Sequence, residues 1–123
     1  MMEKKKIGDF GESAACRYLE EKGYTILGRN YRSRYGEIDI IAMDGAYIVF
    51  IEVKTRKGTR YGNPSEYVDA RKQERLVKTA LQYMGEQDVP VRFDVLEVFY
   101  RERGGALEST RVNHIENAFG GAV

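Results

Sequence analysis

The sequence predicts an α/β layer fold, a central mixed sheet flanked by helices, and three observations carry that prediction. Phe10, Ala14, Ala15, Tyr18 and Leu19 recur at helical spacing near the start of the chain. Two Ile- and Val-rich runs joined by a short turn follow, as in a buried β-hairpin. A second helical stripe (Leu76, Val77, Ala80, Leu81, Met84) then precedes another strand-like run. The order helix, three strands, helix, strand packs naturally as layers about one sheet.

Each element can be justified in turn. Asp9 is placed to cap a helix from about Phe10 to Lys22, which Gly23 ends, and residues 1–7 read as a flexible N-terminus. Tyr24 to Arg32 reads as the first strand. Gly36–Ile41 and Val49–Lys54 form the hairpin around Asp44-Gly45, a strong turn signal. If Asp44 and Gly45 are the two loop residues, Ile41 faces Ile48, Asp39 faces Phe50 and Glu37 faces Glu52. Asp39 and Glu52 are then diagonal neighbours on one face. Arg56 to Glu66 is a polar loop, and about Ala70 to Glu86 is the second helix. Val91 to Tyr100 is a fourth strand, Leu107 to Asn113 a fifth, and Ile115 to Phe119 a terminal turn. If the third and fourth strands are parallel neighbours, their helical crossover is right-handed.

Composition narrows the class. A chain of 123 residues is expected to be one domain, 1–123. With 42% hydrophobic and 32% charged residues it resembles neither a disordered segment nor a membrane span. The basic start, Met1 to Lys6, is followed by no apolar stretch, so no secretory signal is expected. The longest apolar run, Tyr47 to Ile51, is too short to cross a membrane. Cys16 is the sole cysteine, which rules out an internal disulfide and suits a reducing cytoplasm; its place in the first helix fits a small core residue. One His and one Cys make no standard zinc site.

The chemistry is concentrated in Gly36-Glu37-Ile38-Asp39-Ile40-Ile41 and Val49-Phe50-Ile51-Glu52-Val53-Lys54. Residues two apart on a strand share a face, so Glu37 projects with Asp39 and Glu52 with Lys54. Three converging carboxylates repel one another unless a cation lies between them, and Lys54 alone cannot neutralise them. Hard oxygen ligands suit Mg²⁺ or Mn²⁺, with Asp39, Glu52 and the Val53 carbonyl as donors. Such a site suits phosphodiester hydrolysis, with Lys54 orienting a water or stabilising charge on phosphorus. The plainer reading is a set of charges at strand ends reaching solvent. A third treats the acids as a structural ion-pair cluster.

An acid followed on the next strand by Glu-x-Lys resembles the PD-(D/E)xK, or restriction-endonuclease-like, nucleases; here it reads Asp39, then Glu52-Val53-Lys54, without the motif proline. The flanks are Gly11-Glu12-x-x-Ala15, Gly23-Tyr24, Arg29-Asn30-Tyr31-Arg32, Thr55-Arg56 and Arg92-Phe93-Asp94-Val95. With them the chain resembles, over about residues 8 to 119, the YraN-like family of small bacterial proteins, similar to archaeal Holliday-junction resolvases. The resemblance implies a restriction-endonuclease-like three-layer fold, action on nucleic acid, DNA in particular and branched DNA by analogy, and a homodimer where a symmetric junction is cut. It also implies that Glu12 reaches the metal site, as a helix Glu does in the resolvases. A capping box of Asp9 and Glu12 explains the same residue structurally. Glu37 is read as a supporting acid beside the ligands.

Net charge is only +1, but its distribution is uneven. From Lys54 to Lys78, eight basic residues oppose three acids, leaving +5 in a stretch that could track a phosphate backbone. Arg56, Lys57, Arg60, Arg71 and Lys72 are the candidate contacts, against the simpler reading of a solvated helix face. Asp94 fits a buried ion pair as well as a site role, Gln73 lies near the expected site, and His114 reads as a surface or packing residue. Thr55 is a candidate phosphate contact, and the loop from Arg56 to Pro64 is a candidate substrate flap. Tyr31, Tyr35 and Tyr61 could stack on bases or simply pack. Two functional classes stand at this point: a metal-dependent nuclease, and a nucleic-acid-binding or partner-recruiting module on a nuclease scaffold.

Overall fold

The computed structural model describes residues 3–58 and 68–119. Its elements run α1 (Lys4–Glu21), β1 (Thr25–Arg32), β2 (Glu37–Asp44), β3 (Tyr47–Lys57), α2 (Ala70–Met84), β4 (Val91–Arg103) and β5 (Ala106–Phe119). The strands form one mixed sheet in chain order, antiparallel except for the parallel β3–β4 pair that brackets α2. One helix covers each face. Ala14, Ala15, Cys16 and Leu19 of α1 pack on Ile40, Ala42, Val49, Ile51, Leu96 and Val98. Leu76, Ala80 and Met84 of α2 pack on Ile38, Ile41, Ile48, Phe50, Phe93 and Val95. These two apolar layers make the expected α/β/α sandwich.

Several expected boundaries move. α1 begins at Lys4, with Glu3 as its N-cap, so residues 4–7 are helical and Asp9 lies inside the helix. The Asp9–Glu12 capping box therefore does not form. Asp69 caps α2 instead, accepting from the Lys72 backbone N–H at 2.8 Å. Leu81, expected in the core of α2, is 55% exposed, and Thr79 takes an inward position. Its hydroxyl donates to the Arg75 carbonyl and bonds Ser33 Oγ at 2.9 Å, tying α2 to the turn between β1 and β2.

The hairpin register also shifts. Asp44 still pairs with Tyr47, so Gly45 and Ala46 are the loop residues, with Gly45 at φ 59° in the first loop position, where a II′ turn demands glycine. Asp44 is kept in the strand by Arg92, whose Nη1 donates to its carboxylate at 3.0 Å. The last paired position is Ile40 with Ile51, which leaves Asp39 and Glu52 as the next facing residues, not diagonal ones. β4 and β5 run well beyond their expected ends because Gly104 and Gly105, at φ 59° and 81°, supply a tight turn between them. The expected terminal turn at Ile115 to Phe119 is the end of β5, paired back to Phe93.

One irregularity positions the chemistry. Ile38 belongs to the α2-side core and Ile40 to the α1-side core, so strict alternation along β2 fails at Asp39. Across from it, between the pairs Arg29–Ile40 and Tyr31–Ile38, Asn30 adopts φ 54°. The left-handed backbone of Asn30 accompanies this change of phase, and asparagine tolerates that conformation better than most residues.

Candidate metal-dependent phosphodiesterase site

Asp39, Glu52, Glu37, Tyr35, Gly36, Lys72, Arg75 and Leu76 line a cleft of about 240 Å³ between the β2–β3 end of the sheet and the start of α2. Asp39 Oδ2 accepts the Val53 backbone N–H at 2.8 Å. Asp39 and Glu52 face each other just beyond the last paired position of the hairpin. Burial, then the charge of Glu52, pushes the Asp39 carboxyl up to about 7; the charge of Glu12 adds to this and the Val53 N–H partly offsets it. Glu12 reaches this centre electrostatically from α1. Its Oε1 is buried without a hydrogen-bond partner among the described residues, Arg29 Nη2 standing 3.5 Å away as an ion-pair partner.

Gly11 explains how α1 brings Glu12 so near. A Cβ at Gly11 would lie 1.9 Å from Thr55 Oγ1 and 3.0 Å from Thr55 Cβ and Cγ2, so only glycine lets the helix close onto β3 there. Thr55 thus packs against α1 and is not presented as a phosphate contact.

Glu52 is 7% exposed and already has cationic company. Lys72 Nζ donates to its Oε1 at 2.5 Å, and Lys54 Nζ lies 3.7 Å from the same oxygen. Burial, followed by the Lys72 charge, lowers the pKa of Lys54. The charge of Lys72 is opposed by burial, but the hydrogen bond and charge of Glu52 prevail and raise its pKa. Lys72 therefore lines the cleft and does not lie on a freely solvated helix face. The structural ion-pair reading holds in part: it describes Glu52, but the hydrogen bond that Asp39 accepts comes from a backbone N–H.

The other candidates separate. Glu37 lines the cleft, yet it pairs across to Arg32 of β1, with an ion pair at 3.5 Å, and does not face Glu52. Arg56 Nε holds the fully buried Glu97 at 2.6 Å, and Asn113 Nδ2 donates to the same carboxylate at 2.9 Å, so Arg56 serves an internal network. Lys57 is exposed near Glu102, Arg71 is exposed on the first turn of α2, and Arg60 lies outside the described residues. The expected flap from Arg56 to Pro64 lies largely outside them, as does Tyr61. Tyr35 is on the cleft wall, and Tyr31 packs edge-on against Tyr83. Gln73 bonds the Val68 carbonyl in a neighbouring cavity. Cys16 is buried, and burial raises its thiol pKa, as fits a core residue.

Asp94 and His114 form a second polar centre on the α1 side. His114 Nε2 meets Asp94 Oδ2 at 2.7 Å, Arg92 donates twice to Asp94 at 2.9 Å, and Asn117 N–H adds a further bond. His114 is thus an integral packing residue, 4% exposed, joined also to Tyr18. These Asp94 bonds are all internal, as fits a buried ion pair and not a site role.

Among the described residues, no three His, Cys, Asp or Glu side chains form a preassembled metal cluster. The donor chemistry nevertheless fits a hard divalent cation: two facing carboxylates, Asp39 with its pKa raised by burial and then by the charge of Glu52, and the Glu12 charge adding to the same centre. A mixed sheet covered by a helix on each face, with Asp39 and Glu52-Val53-Lys54 at the end of its hairpin, defines a three-layer α/β protein with a carboxylate-lined cleft. The chain belongs to the uncharacterised protein family UPF0102, the YraN-like family, whose model matches residues 11–98. It is 48% identical to a UPF0102 protein of Symbiobacterium thermophilum over 118 residues, covering 94% of this chain and 97% of that one. A UPF0102 protein of Alkaliphilus oremlandii is also 48% identical, over 94% of this chain and 98% of its own. Among the described residues no helix is long and apolar enough to cross a membrane.

Proposed function

We propose that this protein is a metal-dependent nuclease that hydrolyses phosphodiester bonds in nucleic acid, with branched DNA the substrate suggested by its resemblance to the resolvases. The observation that carries the reading is the facing pair of carboxylates, Asp39 and Glu52, in a cleft that Lys72 and Arg75 also line. Asp39, Glu52 and the Val53 carbonyl are the residues to hold Mg²⁺ or Mn²⁺, with Glu12 as an outer donor. When bound, the cation supplies Lewis-acid polarisation of the phosphoryl group and an acidified water. The Val53 N–H fixes the Asp39 carboxylate, so its orientation is set before substrate arrives. Lys54 places positive charge to meet the negative charge that builds on the phosphoryl group, and Arg75 and Lys72 offer donors to the flanking phosphate oxygens. In this reading, a symmetric four-way junction needs two such sites, hence a homodimer with a two-fold axis.

A second reading, a nucleic-acid-binding module without turnover, is favoured by one observation: Glu52 is already paired with Lys72 and Lys54. Cleavage of single strands, duplex, flap, four-way junction and structured RNA with Mg²⁺ or Mn²⁺ separates the two. The expected result is metal-dependent cleavage that falls by about 10²–10³-fold or more in Glu52→Ala and Lys54→Ala. Absence of cleavage on every substrate, with no cation bound in calorimetry, overturns the nuclease and leaves the binding module.

A further inference from the structure

Lys72 occupies an unusual place. It sits in the first turn of α2, where the helix dipole disfavours a cation, and its backbone N–H is held by the Asp69 cap. Its side chain nevertheless turns into the cleft and donates to Glu52 Oε1 at 2.5 Å, while Lys54 stands off at 3.7 Å from that oxygen. Glu52 is nearly inaccessible to solvent, and Lys72 and Lys54 are the cations placed against its carboxylate. The ammonium thus competes for the carboxylate oxygen that a divalent cation would need.

We propose that Lys72 is a built-in counterion, displaced from Glu52 when the divalent cation loads and then free to take a phosphate oxygen of the nucleic acid, so that cation and nucleic acid bind cooperatively. This inference rests on the metal-centre reading above. The physical logic is linkage. With Lys72 on Glu52, the cation must break an ion pair to enter. A phosphate in the cleft gives the released ammonium a new partner, lowering that cost, and reciprocity requires the cation to tighten nucleic-acid binding equally. Lys72 stands 37% exposed at its side chain, so it has room to swing outward, whereas Lys54 is the more enclosed of the two at 27%.

The test is calorimetric titration of Mn²⁺ into the wild-type protein, Lys72→Met and Lys72→Arg, each with and without an uncleavable phosphorothioate oligonucleotide. Without nucleic acid, Lys72→Met should bind Mn²⁺ about tenfold more tightly than wild type, within the usual span of coupling between sites. Lys72→Arg, which keeps the competing charge, should stay near the wild-type affinity and guards against a folding defect in the Met variant. The oligonucleotide should tighten Mn²⁺ binding to wild type and leave Lys72→Met almost unchanged. Equal Mn²⁺ affinity in wild type and Lys72→Met, with Glu52→Gln abolishing binding in both, overturns the counterion role while the metal centre stands. No Mn²⁺ bound by any of the proteins overturns both.

Discussion

Burial, and then the charge of Glu52, makes the Asp39 carboxyl harder to ionise in the folded protein than in the unfolded chain. Its folded pKa of about 7 lies above the ordinary 3.8, so between those values the folded state binds more protons than the unfolded state. The group's contribution to stability is therefore present at acid pH and is lost as pH rises through that window. Asn at this position keeps an oxygen for the Val53 N–H and removes the charge. Asp39→Asn should consequently melt higher than wild type at pH 8, by up to a few kcal/mol in stability, and the difference should vanish near pH 4. Thermal melts across that range, without metal, check it. A variant less stable than wild type at pH 8 would mean the carboxylate has a cationic partner in the fold. Asp39, Glu52 and Lys54 were legible in the sequence because charged side chains stand out on apolar strands. Lys72 was visible only as a basic residue, since helical periodicity reveals a face and not the distance to a strand residue twenty positions earlier. The pairing of Arg56 with Glu97 was equally hidden, because it depends on which strand lies beside β3.

Elements set that geometry through a few contacts. Replacing Gly11 with Ala forces α1 and Thr55 apart, an overpacking cost of roughly 1–3 kcal/mol, and carries Glu12 away from Asp39. Thr55→Ala in the same chain should restore much of the lost stability, because it removes the atom that clashes most severely. Melting temperatures of the two single variants and the double variant would show this as strong non-additivity, and additive losses would refute the contact. The helices and strands were readable from periodicity, but their ends were not. Lys4 to Lys6 look like a charged tail; they are exposed, so no apolar periodicity marks them as the first turn of α1. The hairpin register turned on whether Asp44 belonged to turn or strand, and Arg92, forty-eight residues away, decides that.

At the scale of the whole molecule, the near-zero net charge conceals a cationic rim at the start of α2 facing an acidic centre. Affinity for nucleic acid should then depend on local contacts, falling with log salt at about 0.7–0.9 per phosphate neutralised. If the proposed reading is right, for the two to three phosphates that Lys72, Arg75 and Arg71 can meet, a slope of about −2 is expected, measured on the wild-type protein with Mn²⁺ and an uncleavable phosphorothioate oligonucleotide. A flat dependence would remove the rim from the binding surface. The layer order was foreseeable from the chain because each helix has one apolar stripe and the sheet has two apolar faces to cover. The phase change of β2 has a consequence of a different kind. By stepping out of alternation, the strand hands Ile38 to one core and Ile40 to the other, leaving Asp39 answerable to neither. A substitution there touches the site without unmaking the scaffold, so the Asp39→Asn protein should keep its fold while losing whatever cation the wild-type site takes.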